Sequence, residues 1–448
     1  MHGGIVVKQK SHAIAQVIDF EQEIGRIELL AGPEERWRFE EAHFGTRPPV
    51  DLSPTVNSAY KAIEKQAVRR FVCGLGGPGR WQELAFACSI FPWYAKTDYM
   101  ATTADNEIAR GRQPVFVIGC HRSGTNLLYD TLLSAGGFAV YRGFLPIYKI
   151  LIPRFGSLHN RKNREKIAEV WLRSKGFRRS GLDAGALTQK ILADCRTGGD
   201  FIRITMDEIA RNQGVARWAV YDPDNVNHIM RVKRDIPGAL FVHIIRDGRD
   251  IALSLKTMGG FTPLPWDRGD RSLLATAAYW RWMVRRGKKN GRIASKDYIE
   301  IRYEDLVGSP RQTLARLGDF LDHDLDYDRI QETGLGRLRE SNSSFRGMAG
   351  EEQVSPVQRW KQRLRPEEVA GIEALAGDCL TENGYELVTP ESERRTASRA
   401  RWMRLLYDGF LSGKFWLKIE TPVGRLANME ALELADPVSA KEAAPERP

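Results

Sequence analysis

A three-layer α/β fold around a short parallel sheet is what this sequence predicts, on the strength of three stretches. Val115-Phe116-Val117-Ile118 and Leu240-Phe241-Val242-His243-Ile244-Ile245 are short apolar runs that each pass through a turn into a helical pattern. Ile299-Glu300-Ile301 is a third run, ahead of helix-spaced Leu314, Leu317 and Leu321. Short apolar strands alternating with helices make a parallel sheet covered on both faces.

The first stretch continues as Gly119-Cys120-His121-Arg122-Ser123-Gly124-Thr125-Asn126-Leu127-Leu128. Glycines at 119 and 124 allow a tight turn and close approach of an anion, and the helix starting near Asn126 has first-turn amides with no internal partner. The Gly-x4-Gly spacing is that of a triphosphate loop, but Thr125-Asn126 stand where such a loop needs Lys and then Ser or Thr. The cation is inside the loop instead, at Arg122, whose planar fork suits phosphate or sulfate.

The second strand runs into Arg246-Asp247-Gly248-Arg249-Asp250, with Ser254 further along the helix that follows. Ligands of open α/β sheets sit beyond the strand carboxyl ends, so both cationic turns are expected at one crevice. Between the two lie a helical insertion, roughly residues 150–213, and a strand at Trp218-Ala219-Val220-Tyr221 that turns at Asp222-Pro223.

These residues resemble the sulfotransferases that use 3′-phosphoadenylyl sulfate (PAPS). Arg122, Ser123, Gly124, Thr125 and Asn126 are similar to that family's 5′-phosphosulfate loop, and Arg246 with Ser254 to its 3′-phosphate site. Tyr303-Glu304-Asp305-Leu306 resembles the segment whose Tyr contacts the adenine side, and Arg346 lies in a stretch like the one that folds over the 3′-phosphate. The likeness spans roughly residues 113–365 and implies a P-loop-like nucleotide fold with PAPS as co-substrate and no metal. It further implies transfer of a sulfuryl group to a hydroxyl or amine, with Arg122 stabilising the charge that grows on the leaving phosphate.

Two departures stand out. Relatives often show Trp-x-x-Lys-Thr-Pro, where this chain has Trp218-Ala219-Val220-Tyr221-Asp222-Pro223, so a cation near the sulfuryl group is missing. The usual general base is also absent, and Asp222 and His228 are the candidates by position, with His121 a third. Two other readings fit: a P-loop nucleotide kinase or phosphotransferase, or a catalytically weak PAPS-binding interaction module.

Residues 1–111 read as a helical N-terminal extension, 112–390 as the α/β domain, and 391–448 as a basic amphipathic helix with a mobile tail. Sixty-seven Lys and Arg against 57 Asp and Glu give a net charge of +10, which favours anionic ligands or membrane surfaces. Nucleic acid is not expected as a partner; a small-molecule, glycan or lipid acceptor is. The five scattered cysteines point to a reducing compartment, and with no evident signal the expected location is cytoplasmic. In the last helix, Trp402, Leu405, Leu406, Phe410 and Phe415-Trp416-Leu417 alternate with arginines. That pattern fits either a helix packed on the protein's own core or a peripheral contact with the inner membrane surface.

Overall fold

The structure is a computed structural model that describes residues 109–258, 271–334, 357–396 and 398–426, with Met429 and Leu432. The expected N-terminal extension and Arg346 lie outside the described residues. Five strands form one sheet: β1 (Val115–Gly119), β2 (Phe138–Ala139), β3 (Arg217–Tyr221), β4 (Leu240–Ile245) and β5 (Tyr298–Arg302), in the order β2-β3-β1-β4-β5. Every neighbouring pair is parallel. Successive side chains of β1 face opposite ways, as the strand repeat requires. Phe116 and Ile118 join one buried layer with α2 (Arg161–Leu172), α3 (Ala184–Asp194) and α4 (Gly198–Asn212). Val115 and Val117 join the other, with α1 (Thr125–Ser134) and the Pro310–Leu321 helix. This is the predicted three-layer arrangement.

The chain steps from β1 outward to β2 and β3, then returns to the far side of β1 for β4 and β5. Strand order therefore reverses between β1 and β4, and the turns after these two strands flank the crevice left there. Both turns enter helices, α1 after β1 and α5 (Gly248–Lys256) after β4.

The turn after β4 is braced by buried charge. The Asp247 carboxylate caps α5 by accepting from the Arg249 amide at 2.9 Å and grips the Arg249 guanidinium at 3.0 and 2.8 Å. Arg249 also donates to Glu373 at 2.7 Å, on α7 (Pro366–Glu382), and stacks 3.8 Å over Trp360. Asp250 accepts from the amides of Gln358 and Trp360, both at 2.9 Å, pinning the segment just before α7 beneath the turn. From α6 (Leu273–Gly291), Trp280 donates to the Arg246 carbonyl at 3.0 Å.

The last long helix, α8 (Ser398–Glu420), carries two apolar edges. Met403, Tyr407, Phe410, Leu411 and Phe415 pack on the core beside α6 and α7, as the first of the two sequence readings expects. Trp402, Leu405, Leu406, Trp416 and Leu417 form a separate stripe at helical spacing that faces solvent, each more than 40% exposed. No described helix is long and apolar enough to cross a membrane.

Replacing Arg249 by Met strands the Asp247 and Glu373 carboxylates in a dry environment. The expected loss is about 3–5 kcal/mol of unfolding free energy, measured by urea denaturation.

Candidate active site

The loop after β1 depends on its glycines. A Cβ on Gly119 would lie 2.6 Å from the Ile244 carbonyl, and one on Gly124, where φ is +98°, would lie 2.5 Å from the Tyr303 ring. Arg122 itself has φ +71°, a conformation unfavourable for a side chain with a Cβ, and such strain is concentrated at ligand clamps. The Ser123 amide and hydroxyl both donate to the Cys120 carbonyl, at 3.1 and 2.6 Å, so this residue holds the turn shut with its polar groups directed inward. Thr125 opens α1 and is buried, and Asn126 is exposed beside it. The helix leaves the first amides of this turn without intrahelical partners.

The two cationic turns meet. Arg122 donates through Nε to the Ser254 hydroxyl at 2.9 Å, and Arg246 Nη1 reaches the Arg122 carbonyl at 3.4 Å. The Arg246 guanidinium stacks 4.4 Å from the centre of the Tyr303 ring, with Asp250 at 3.7 Å. Burial, and then the neighbouring Arg246, lower the pKa of Arg122. Arg122, Arg246, Ser254 and Tyr303 thus converge as the sequence predicted, from four separate segments. The donor set, two guanidiniums with helix amides around a cradle that a Cβ would fill, fits a nucleotide with two separate anionic ends.

A second group of charges adjoins the loop. Asp222 caps the short helix Pro223–Asn227 by accepting from the Asp224 amide at 2.9 Å. Asp224 pairs with Lys149 and lies 3.5 Å from Nε2 of His121, whose ring stacks on Tyr279. Burial and then the Asp224 charge push the Asp222 pKa up to about 6. Half-burial works against the charge on Asp224, yet Lys149 and His121 hold its carboxyl well below the usual range. Lys149 is pushed down by burial but more strongly up by Asp224 and Asp222, to about 12.

Lys149 was not legible as a site residue. It comes from a π-helical turn, Ile147–Leu151, a geometry that occurs chiefly at functional positions. It supplies a cation beside Asp222 and Asp224 at the end of β3, whose own sequence has Tyr221 in place of a Lys. His228, one of the expected bases, is 2% exposed, with its ring between Tyr148 at 5.7 Å and Phe415 at 5.5 Å. Burial, and then Arg231, lower its pKa to about 3.

Comparisons with known proteins come to bear on this geometry. Residues 114–327 match the model of the Sulfotransferase family. No curated protein matches the chain. Among solved structures, the sulfotransferase domain from the curacin biosynthetic pathway is 16% identical, with a TM-score of 0.40 over 61% of this chain and 98% of that one. The sulfotransferase domain of the Synechococcus PCC 7002 olefin synthase is 18% identical, with a TM-score of 0.40 over 56% and 89%. Sulfotransferase STF9 from Mycobacterium avium is 15% identical, with a TM-score of 0.35 over 62% and 78%. The family match takes in the β1 loop, the β4 turn and Tyr303, and over residues 114–327 the chain resembles the sulfotransferase family.

Proposed function

We propose that this protein transfers the sulfuryl group of PAPS to a hydroxyl or amine acceptor. The observation that carries the reading is the convergence of Arg122 and Arg246 on one crevice, from turns following adjacent parallel strands. Arg122 and the first amides of α1 would hold the 5′-phosphosulfate end, Arg246 with Ser254 the 3′-phosphate, and Tyr303 the adenine side. PAPS supplies an activated sulfuryl group whose leaving phosphate gains negative charge as the sulfur–oxygen bond breaks. Arg122 is aimed to stabilise that charge, and positioning supplies much of the remaining rate gain. The kinase alternative lacks its cation, since Thr125 occupies the position after Gly124 where the triphosphate loop carries Lys.

Asp222 is the general base that the site favours. Its pKa of about 6 leaves it largely ionised at neutral pH yet basic enough to take the acceptor's proton. Lys149, fixed by Asp224, places a second cation at the edge of this site. The exposed stripe of α8 adds a peripheral contact with anionic membrane to this reading, its aromatics entering the headgroup boundary.

Radiolabelled PAPS incubated with the full chain and a panel of hydroxylated acceptors should label at least one of them. Arg122→Ala should lower kcat by roughly 10²–10³. Arg246→Ala should mainly weaken binding of adenosine 3′,5′-bisphosphate, measured by calorimetry. Unchanged turnover in Arg122→Ala overturns the mechanism.

The pH profile tests the base separately. A carboxyl acting as base must be deprotonated, so kcat/KM should fall as pH drops through about 6. Asp222→Asn should remove that limb and lower kcat by roughly 10²–10⁴ with nucleotide binding intact.

For the membrane contact, Trp402→Glu combined with Trp416→Glu should reduce cosedimentation with phosphatidylserine vesicles while leaving nucleotide binding unchanged. Equal sedimentation of the double variant removes that part of the reading.

A further inference from the structure

Beneath α8, next to the carboxylates at the end of β3, lies a group of cations that sulfuryl transfer from PAPS does not itself require. Arg286, on α6, is half-buried with its guanidinium 4.6 Å from the Phe415 ring and 5.2 Å from that of Trp282. Its Nε is buried, with no hydrogen-bond partner among the described residues. Two further buried atoms share that state in the same neighbourhood, Nδ1 of His228, whose ring is 5.5 Å from Phe415, and Oδ1 of the adjacent Asn227. Two orphaned polar atoms belong to side chains that lie against the same aromatic ring, which is unusual in a protein interior, where such groups are satisfied by protein, water or ligand.

The charge balance points the same way. Lys414 precedes Phe415 and Lys418 follows it by nearly one helical turn, so α8 carries both beside that ring. Lys418 is half-buried and within electrostatic reach of Lys149, Asp224 and Asp222. Burial first, and then the Lys149 charge, lower its pKa. Of the neighbouring cations, Lys149 is paired with Asp224, and Arg231 with Glu420 at 2.5 Å. Arg286 and Lys418 form no ion pair among the described residues, and a half-buried cation is costly without one.

We propose that Arg286 and Lys418 form a subsite for an anionic group on the acceptor, placing the acceptor's hydroxyl toward Asp222. The inference rests on the sulfuryl-transfer reading and narrows it: the acceptor carries a carboxylate, sulfate or phosphate in addition to the oxygen that is sulfated. In the transfer, a bond forms between acceptor oxygen and sulfur, the bond from sulfur to the nucleotide's phosphate oxygen breaks, and the acceptor's proton passes to Asp222. The anion stays bound to the cations throughout. Trp282, Phe415 and Tyr148 supply an aromatic wall beside the charge.

The experiment uses the full chain saturated with adenosine 3′,5′-bisphosphate, so binding is read without turnover. Calorimetric titrations compare matched pairs of hydroxylated probes, 4-hydroxyphenylacetate against its methyl ester and 4-hydroxyphenyl phosphate against hydroquinone. At least one anionic member should bind roughly tenfold more tightly than its neutral partner, the scale of a charge-assisted contact. Lys418→Met and Arg286→Gln should each remove that preference while leaving affinity for the bisphosphate unchanged. Each neutral partner should bind the variants and the unaltered chain alike. If neither anion is preferred, or if preference survives both substitutions, the subsite is overturned. Absence of sulfuryl transfer despite charge-selective binding would instead sink the reaction assignment and leave the anion site standing.

Discussion

Two guanidinium groups share one crevice, and the rest of the domain is arranged to keep them there. Burial first, and then the charge of Arg246, depress the pKa of Arg122, so the crevice holds repulsion that an anion would relieve. Such an arrangement survives only if the backbone around it is over-determined. Ser123 closes the first turn onto Cys120, Gly124 lets Tyr303 lie directly against the loop, and Ser254 holds the Arg122 side chain across the gap. Removing any of these would leave the charges present but aimed elsewhere.

The second turn shows how a short charged sequence becomes a rigid one. In Arg246-Asp247-Gly248-Arg249-Asp250, alternating charges look on paper like a solvated loop, yet all four charged residues are less than 5% exposed. Each has a distinct task. Asp247 caps α5 and grips Arg249, and Arg249 ties the turn to Glu373 on α7. Asp250 receives two backbone amides from the segment entering α7, leaving Arg246 to stack on Tyr303. Gly248 is required because a Cβ there would fall 2.5 Å from Trp280. A buried network of this kind breaks even only when every member is satisfied, which is why the turn draws partners from α6, α7 and the Tyr303 segment. Glu304, next to Tyr303, accepts from the Asp247 amide at 3.0 Å and from Tyr385 at 2.9 Å, completing the brace.

Strands and phosphate loop were legible because their signals are local. Apolar runs of four to six residues ending in glycine-bearing turns specify β1 and β4, and the helical periods on either side specify the covering layers. The helical insertion expected over roughly residues 150–213 is indeed helical, with Arg161–Leu172 ending where Ser174 caps a new short turn. What stayed hidden was tertiary. Nothing near Lys149 in sequence marks it as a partner of Asp224, 75 residues away, since a π-helical turn has no strong sequence signature. The hydrogen bond from Ser123 to the Cys120 carbonyl was equally invisible, since only the position of Ser123 in the loop can be read from sequence. The last helix reads from sequence as apolar residues at helical spacing, whereas the fold separates a packed edge containing Leu411 and Phe415 from an exposed one containing Trp402 and Trp416.

That separation gives α8 a double character with chemical consequences. Its inner edge brings Phe415 against His228 and sets Lys418 within electrostatic reach of Lys149, Asp224 and Asp222, so the helix adjoins the charged group at the end of β3. A wall made from a helix near the chain's end, rather than from the sheet, is anchored by specific contacts: Arg281 bridges Asp378 on α7 and Asp408 on α8, and Trp282 donates to Ser412 at 3.0 Å. These contacts fix the register of α8 on α6, and a helical register error of one residue would swing Lys418 by about 100° and remove it from the site. On the proposed reading, acceptor selectivity and nucleotide recognition fall on different elements: the turns of the sheet would grip the two anions, and the helix would offer charge and aromatic surface to the other substrate.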